Sequence, residues 1–182
     1  MGGWFKKPID TIEDVKGLKM RIPGFGGEVL RRNGGIPVAM PGGEIFTALQ
    51  TGTIDAAEWI GPYNDLAFGM HKVASHYYYP GWHEGGPSLE CIINKEAFES
   101  LPDDLQAIVE IAIQSTNDTM LAEFVARNAS ALQQIKKTNE IKIKPFPKQV
   151  MDAFERTTDE IIREIEGKDP IFSKIYQSFS EY

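Results

Sequence analysis

Three features of the sequence could bind a small ligand: Arg21, Glu58 and the segment 79–87. Arg21 lies on a predicted strand that is otherwise apolar, where an unpaired guanidinium is costly. Because a guanidinium matches a carboxylate in a two-pronged contact, Arg21 could anchor a small organic acid. The alternative is an ion pair with a nearby Asp or Glu of the same chain, and the sequence leaves both open.

Glu58 lies near the end of a predicted strand and beside Trp59. Ligands of open parallel sheets gather outside the carboxyl ends of the strands, which favours a functional role for Glu58. An ordinary exposed glutamate is the alternative. Residues 79–87 (YPGWHEGGP) combine aromatic residues with glycine and proline, so that they could form either a rigid pocket wall or a simple turn over the core.

Motifs for catalysis are not matched. Residues 24–27 (GFGG) fail the dinucleotide fingerprint because position 29 is valine. There is no Walker lysine, G-x-S-x-G or H-E-x-x-H motif, and Cys91 has no recognisable base partner. His71, His76 and His83 are spread over a predicted helix end and a loop, as is typical of surface or hydrogen-bonded imidazoles.

The first eighty residues alternate between short strands and helices, which indicates a parallel sheet covered by helices. The pattern predicts strands over 18–23, 36–40 and 53–60, and helices over 24–32 and 44–50.

The last eighty residues have helical periodicity instead. Apolar positions from Pro102 to Ile135 predict one very long helix of about 50 Å, which must run along two bodies or against a second molecule. A strand over 141–147, a helix over 150–165 and an apolar stripe over 171–179 follow.

Composition bounds the class of protein. The 182 residues suffice for one domain, or for one domain and part of another. Nineteen basic and 26 acidic side chains give a net charge of −7 with scattered signs, which argues against binding to nucleic acid. The single cysteine excludes an intramolecular disulfide. Residues 1–8 (MGGWFKKP) lack the pattern of a secretory signal and read as the middle of a structured region.

Four segments carry a family resemblance: residues 2–5 (GGWF), 18–24 (LKMRIPG), 41–65 (PGGEIFTALQTGTIDAAEWIGPYND) and 79–84 (YPGWHE). Together they resemble the solute-binding receptors of TRAP transporters, the tripartite ATP-independent periplasmic uptake systems. The stretch A-L-Q-T-G-x-x-D-A-x-E is the most diagnostic part. The E-W-x-G-P-Y-N-D and Y-P-G-W-H-E versions are similar to the branch that binds 2-oxo acids such as pyruvate. The 182 residues match the C-terminal half, or slightly more, of a family member.

This resemblance implies an α/β fold: a periplasmic-binding-protein-like lobe with a parallel-type mixed sheet, a long spine helix and C-terminal helices. Residues 1–100 would form the second α/β lobe of a two-lobe receptor. Residues 101–182 would supply the spine helix, a return strand and the C-terminal helices without forming an independent domain. The first lobe would be largely absent, and the protein would work in the periplasm with its signal segment outside this chain.

The resemblance also implies a role for each candidate residue. Arg21 would clamp the ligand carboxylate, with Glu58 and Trp59 also at the ligand. A non-catalytic cation would lie beside the ligand, held by the Glu58 side chain, the Trp59 carbonyl and the Glu84 side chain. The branch also uses a glutamine just upstream of the stretch that corresponds to residues 1–5 (MGGWF), and this glutamine is not in this chain.

Oxygen donors of this kind select Na⁺ or Ca²⁺. Two glutamates and a ligand carboxylate carry three negative charges, of which Arg21 neutralises one. A cation would therefore relieve a repulsion that is large at low dielectric.

These observations predict a receptor, not an enzyme, that binds a small 2-oxo monocarboxylate with a cation and delivers it to a TRAP membrane permease. A Ca²⁺-dependent lactate receptor is one alternative. A metal-assisted hydrolase or lyase with Glu58 and Glu84 as acid and base is another, although no further base, nucleophile or oxyanion motif supports it. A third is a helical dimerisation module that binds no ligand. The resemblance, together with the apolar stripe over 171–179, implies a homodimer through the C-terminal helix.

Overall fold

The computed structural model describes residues 1–86, 89–138 and 140–181, and these form a mixed six-stranded sheet with helices on both faces. The strands are β1 (Gly3–Phe5), β2 (Lys19–Arg21), β3 (Ile36–Val38), β4 (Ala56–Ala57), β5 (His76–Tyr79) and β6 (Lys142–Pro145). Their order is β3-β2-β4-β1-β5-β6. β2 pairs in parallel with β3 and β4, and β5 with β6, whereas β1 is antiparallel to both of its neighbours. The predicted α/β class with a mixed sheet is confirmed.

The predicted helices are present, and two short helices, over 62–67 and 95–99, lie outside the predicted ranges. The helices are α1 (Gly24–Arg32), α2 (Gly42–Thr51), α3 (Pro62–Ala67), α4 (Lys95–Glu99), α5 (Asp103–Lys137), α6 (Lys148–Glu166) and α7 (Pro170–Ser180), with 3₁₀ turns at Ile12–Val15 and Met70–Lys72. α5 has 35 residues, which at 1.5 Å each gives about 52 Å. The predicted long helix and the predicted helix over 24–32 are both present.

Side chains of neighbouring strand residues enter two separate cores, because successive residues of a strand point to opposite faces. Phe5 and Tyr78 pack with residues of α1 and α6 on one face, whereas Trp4 and Tyr77 pack with residues of α2 and α5 on the other. Both faces of the sheet are therefore covered, as is usual for sheets with parallel strands.

Three of the strands differ from the prediction, of which the first, β1, lies outside every predicted strand. The strand predicted over 53–60 is reduced to the two residues of β4, after which residues 58–61 leave the sheet and lead into α3. His76 was expected near a helix end or in a loop, but it lies in β5, which is buried over its first three residues. Of the segment 79–87, position 87 lies outside the described residues.

α5 is buried only near its C-terminal end, at Ala131 and Ile135. Its earlier turns expose large apolar side chains, including Ile111 and Leu121, each 65% exposed. Within the described ranges, no helix combines the length and apolar character needed to cross a membrane.

Candidate functional site

The candidate site forms where β2 and β4 end side by side. Arg21 is the last residue of β2 and pairs in register with Ala57 of β4, so that Glu58 follows directly beyond the pair. The Glu58 amide donates to the Arg21 carbonyl at 3.1 Å, which extends the parallel ladder by one bond. The two candidate residues therefore meet at the carboxyl ends of parallel strands, the place where such sheets bind ligands.

Arg21 and Glu58 form a buried ion pair. Arg21 Nη1 donates to Glu58 Oε1, and the two side chains are 14% and 4% exposed. The Arg21 guanidinium also lies over the Trp59 ring, 5.2 Å from its centroid. Glu58 is thus not the exposed glutamate that the sequence left open, whereas the pairing of Arg21 with a carboxylate of its own chain is present in this structure.

A cavity of about 240 Å³ opens beside this ion pair. Glu58 and Glu84 both line it, and the cavity therefore brings together the two carboxylates predicted from the sequence. Glu84 is exposed, whereas Glu58 is buried. The remaining lining comes from the start of α1 and from His83, as the full set shows: Pro23, Gly24, Phe25, Gly26, Glu58, His83 and Glu84.

His83 is a site residue that the sequence analysis interpreted only as a surface or hydrogen-bonded imidazole. Its Nε2 lies 3.4 Å from Glu58 Oε2, and its side chain is 9% exposed. Its Nδ1 is buried and has no hydrogen-bond partner among the described residues. The one sequence signal was its place beside Glu84 in the segment 79–87, and a histidine next to a candidate ligand is too common to be decisive.

Trp59 packs against the start of α2 and against Phe68, the residue after α3. Its ring packs on Phe68 with centroids 5.1 Å apart, and it lies so close to Gly42 that a Cβ there would collide with the indole. The Trp59 Nε1 atom is buried without a hydrogen-bond partner in the described part of the chain. The start of α2 thus fixes the indole on which the Arg21 guanidinium rests.

Asp65 of α3 is fully buried close to this site. Burial raises the pKa of the Asp65 carboxyl to about 6, although four hydrogen bonds to its oxygens act in the opposite direction. The sequence analysis assigned Asp65 no role of its own.

The donor set around the cavity is suited to a hard cation but is incomplete. Among the residues that the structure describes, no group of three or more His, Cys, Asp and Glu side chains is arranged to hold a metal ion. The carboxylates of Glu58 and Glu84 line the cavity and are oxygen ligands of the kind that Na⁺ and Ca²⁺ prefer, whereas Trp59, whose carbonyl was predicted as a further ligand, is not among the lining residues.

Residues 1–169 match the family described as bacterial extracellular solute-binding protein, family 7, also called DctP. The chain belongs to this family. The resemblance found in the sequence is thereby confirmed. A monocarboxylate 2-oxoacid-binding periplasmic protein of Nostoc sp. is 43% identical to this chain over all 182 residues, which cover 50% of that relative. The chain thus spans about half the length of this relative.

Solved structures agree with this assignment. A TRAP periplasmic solute-binding protein from Colwellia psychrerythraea with bound calcium and pyruvate is 45% identical, with a TM-score of 0.93. One from Pseudoalteromonas atlantica with bound sodium and pyruvate is 44% identical, with a TM-score of 0.91. A third, from Bordetella bronchiseptica, is a mixed-occupancy dimer with calcium and picolinate, 44% identical with a TM-score of 0.90. All of this chain is covered in each case, together with 56%, 55% and 54% of those chains.

Proposed function

We propose that this chain is the ligand-holding part of a TRAP solute receptor that captures a small 2-oxo monocarboxylate together with Na⁺ or Ca²⁺. The observation that carries the proposal is the buried Arg21–Glu58 ion pair at the ends of β2 and β4, beside a cavity shared with Glu84. Relatives at 44–45% identity hold pyruvate with calcium or sodium, which supports the same ligand class here.

In this proposal, Glu58 occupies the place that a ligand carboxylate takes on Arg21. The guanidinium offers a fork that suits one carboxylate in a two-pronged contact, so that Glu58 must give way when an acid binds. A buried Glu58 carboxylate that loses its partner destabilises the protein by about 3–5 kcal/mol. When bound, a hard cation supplies the positive charge that Glu58 then lacks.

Glu58, Glu84 and the Trp59 carbonyl would hold that cation, while Arg21 and the Trp59 ring would contact the acid. The exchange of partners by Glu58 makes the two binding events depend on each other. An acid that binds alone leaves Glu58 without a counter-charge, and a cation that binds alone leaves Arg21 without one. We therefore expect positive coupling between cation and acid, which by thermodynamic linkage acts in both directions.

A 2-hydroxy acid such as lactate offers the same carboxylate with a neighbouring oxygen, and the chain itself does not separate it from a 2-oxo acid. The relatives favour the 2-oxo acid, because one is named a 2-oxoacid-binding protein and another holds pyruvate. A hydrolase or lyase gains no support, because the family consists of solute-binding proteins.

Family membership suggests where the receptor works and what it works with. Within the proposal, the receptor works in the periplasm and passes its ligand to the TRAP membrane permease. Residues 1–100 form one α/β lobe, and residues 101–182 add the spine helix, return strand and C-terminal helices. In keeping with this, β6 joins the same sheet as β5, and α6 packs on the core that contains Phe5.

Replacement of Arg21 tests the proposal. Calorimetry with pyruvate in Ca²⁺ should show binding by the unaltered protein and none by Arg21→Ala, because the anchor for the carboxylate is gone. Arg31→Ala is the matched control: Arg31 is a 60% exposed arginine on α1, and its loss should leave the affinity unchanged. Arg21→Lys keeps the charge and the fold but lacks the fork, and should bind at least about tenfold more weakly. Unchanged affinity in both Arg21 variants would contradict the proposal.

A further inference from the structure

The segment that carries the proposed ligands lies outside regular structure. Residues 58–61 connect β4 to α3, and they include both the Glu58 side chain and the Trp59 carbonyl. After the single bond from the Glu58 amide to β2, the ladder of the sheet ends. Something other than strand pairing must therefore hold the rest of this segment.

Asp65 holds it from the side of α3. One carboxylate oxygen, Oδ1, accepts hydrogen bonds from the Gly61 amide at 3.1 Å and from the Ile60 amide at 3.4 Å. These two amides directly follow Trp59 in the chain. The position of the peptide that contains the Trp59 carbonyl is thus linked to one oxygen of Asp65.

The other oxygen, Oδ2, is fixed to the centre of the sheet. It accepts from Trp4 Nε1 at 2.9 Å and from the Tyr77 hydroxyl at 3.2 Å. Trp4 and Tyr77 are register partners on β1 and β5, and their ring centroids lie 4.3 Å apart. Asp65 therefore bridges the rigid middle of the sheet and the segment 58–61.

This bridge is costly in energy. Asp65 is fully buried, and all four of its hydrogen-bond donors are uncharged. Well-packed apolar residues are often as stabilising as a buried charge, or more so. A carboxylate is, however, able to accept from the sheet and from the segment at the same time, and it is a stronger acceptor than a neutral oxygen.

We propose that Asp65 is a positioning residue that sets the segment 58–61, and through it Glu58 and the Trp59 carbonyl, for binding of the cation and the acid. This assignment rests on the proposed function. In this assignment, Asp65 itself contacts neither the cation nor the acid. Groups that orient metal ligands by hydrogen bonds, without contacting the metal, typically contribute about 10–100-fold to metal affinity, and a similar effect is expected here.

The test compares two variants that both lose hydrogen bonds of Asp65. Asp65→Ala removes all four bonds. The double variant Trp4→Phe, Tyr77→Phe removes only the two bonds to the sheet and leaves those to Ile60 and Gly61. Both variants should unfold at lower denaturant concentration, so that stability alone does not distinguish them. Asp65→Asn is a conservative third variant, since its amide oxygen is still able to accept from the segment.

Two readouts are measured on the purified protein. The first is the pyruvate Kd in Ca²⁺, which should rise at least about tenfold in Asp65→Ala, remain close to the unaltered value in the double variant, and be partly restored in Asp65→Asn. The second is amide hydrogen exchange of Ile60 and Gly61 without ligand, which should accelerate in Asp65→Ala and not in the double variant.

Equal changes of Kd and of exchange in Asp65→Ala and the double variant would overturn the assignment and leave Asp65 a purely structural residue. If Asp65→Ala does not fold, Asp65→Asn takes its place in the comparison. It should still show faster exchange and a larger Kd change than the double variant, because a neutral amide oxygen accepts more weakly from the Ile60 and Gly61 amides than the carboxylate does. Failure of the unaltered protein to bind pyruvate would instead contradict the proposed function, and the exchange rates would still decide whether Asp65 holds the segment.

Discussion

At the residue scale, the Arg21 guanidinium contacts the Glu58 carboxylate on one side and the Trp59 ring on the other, and it also donates to the Met40 and Glu58 carbonyls at 3.4 Å each. The first contact neutralises charge, whereas the second fixes the plane of the guanidinium. A contact between a guanidinium and an aromatic ring contributes about 0.5–2 kcal/mol, depending on exposure to solvent. Loss of the ring contact should therefore weaken acid binding even when Arg21 and Glu58 are intact.

Gly42→Ala should displace the Trp59 indole. A Cβ at position 42 would collide with the ring, so that the indole must move away from Arg21. We expect pyruvate affinity in Ca²⁺ to fall by about fivefold, the equivalent of about 1 kcal/mol. Gly43→Ala is the control, because a Cβ there has no atom within 4 Å and should bind as the unaltered protein does. Equal affinities of the two variants in calorimetry would disprove a role for the indole.

At the element scale, Asp65 lies where α3 meets β1 and β5, and its titration should be visible in the stability of the whole fold. The folded-state pKa of about 6 lies above the ordinary value of 3.8. Between these values the folded state binds more protons than the unfolded state. The free energy of unfolding therefore contains a contribution from Asp65 that is fully present below pH 3.8 and is lost as the pH rises through about 6.

Asp65→Asn should remove this contribution. When the pH is lowered from 7 to 4, the unaltered protein should gain up to about 3 kcal/mol of unfolding free energy relative to Asp65→Asn. Urea titrations at several pH values, with the two proteins measured in parallel, cancel the groups common to both. A difference that does not vary with pH would show that the Asp65 pKa is not raised.

The sequence predicts helices at this scale better than it predicts strands. α1 and α5 are set by apolar periodicity and by clear ends, and both were predicted. β5 was missed because its first three residues are buried on both faces, which removes the alternation that marks a half-buried strand. β4 was predicted too long because the pairing ends with the Glu58 amide and the Ile60 and Gly61 amides donate to Asp65 instead of to a strand. A contact between separate elements leaves no periodic signal in the sequence.

The candidate site was predicted in part, for the same reason. Arg21, Glu58, Trp59 and Glu84 stand in recognisable family motifs. The contact of Glu58 with Arg21, the approach of His83 and the support from Asp65 depend on how strands and loops meet in three dimensions. Such contacts between residues distant in sequence are not encoded in local spacing.

At the scale of the whole molecule, α7 presents an uncovered apolar face. Ile171, Ile175 and Phe179 are 73%, 64% and 76% exposed, and they are spaced by four residues along one side of the helix. We infer that a second copy of the chain covers this face, in line with the dimer seen for the Bordetella bronchiseptica relative.

Sedimentation equilibrium should therefore give about twice the chain mass of 20.3 kDa. Ile175→Asp should shift the mass towards a single chain, because a carboxylate is costly to bury in an apolar contact. Gln177→Asp adds the same charge on the same helix at a polar position and should remain dimeric. A single-chain mass for the unaltered protein would rule out the dimer.

In the proposed receptor, cation and acid bind together because Glu58 changes partner from Arg21 to the cation. The most direct measurement is calorimetric titration with pyruvate in Ca²⁺, in Na⁺, and in chelator with an organic cation as the only counterion. Pyruvate affinity should be at least about tenfold weaker without Na⁺ and Ca²⁺. Equal pyruvate affinity under all three conditions would contradict the change of partner by Glu58.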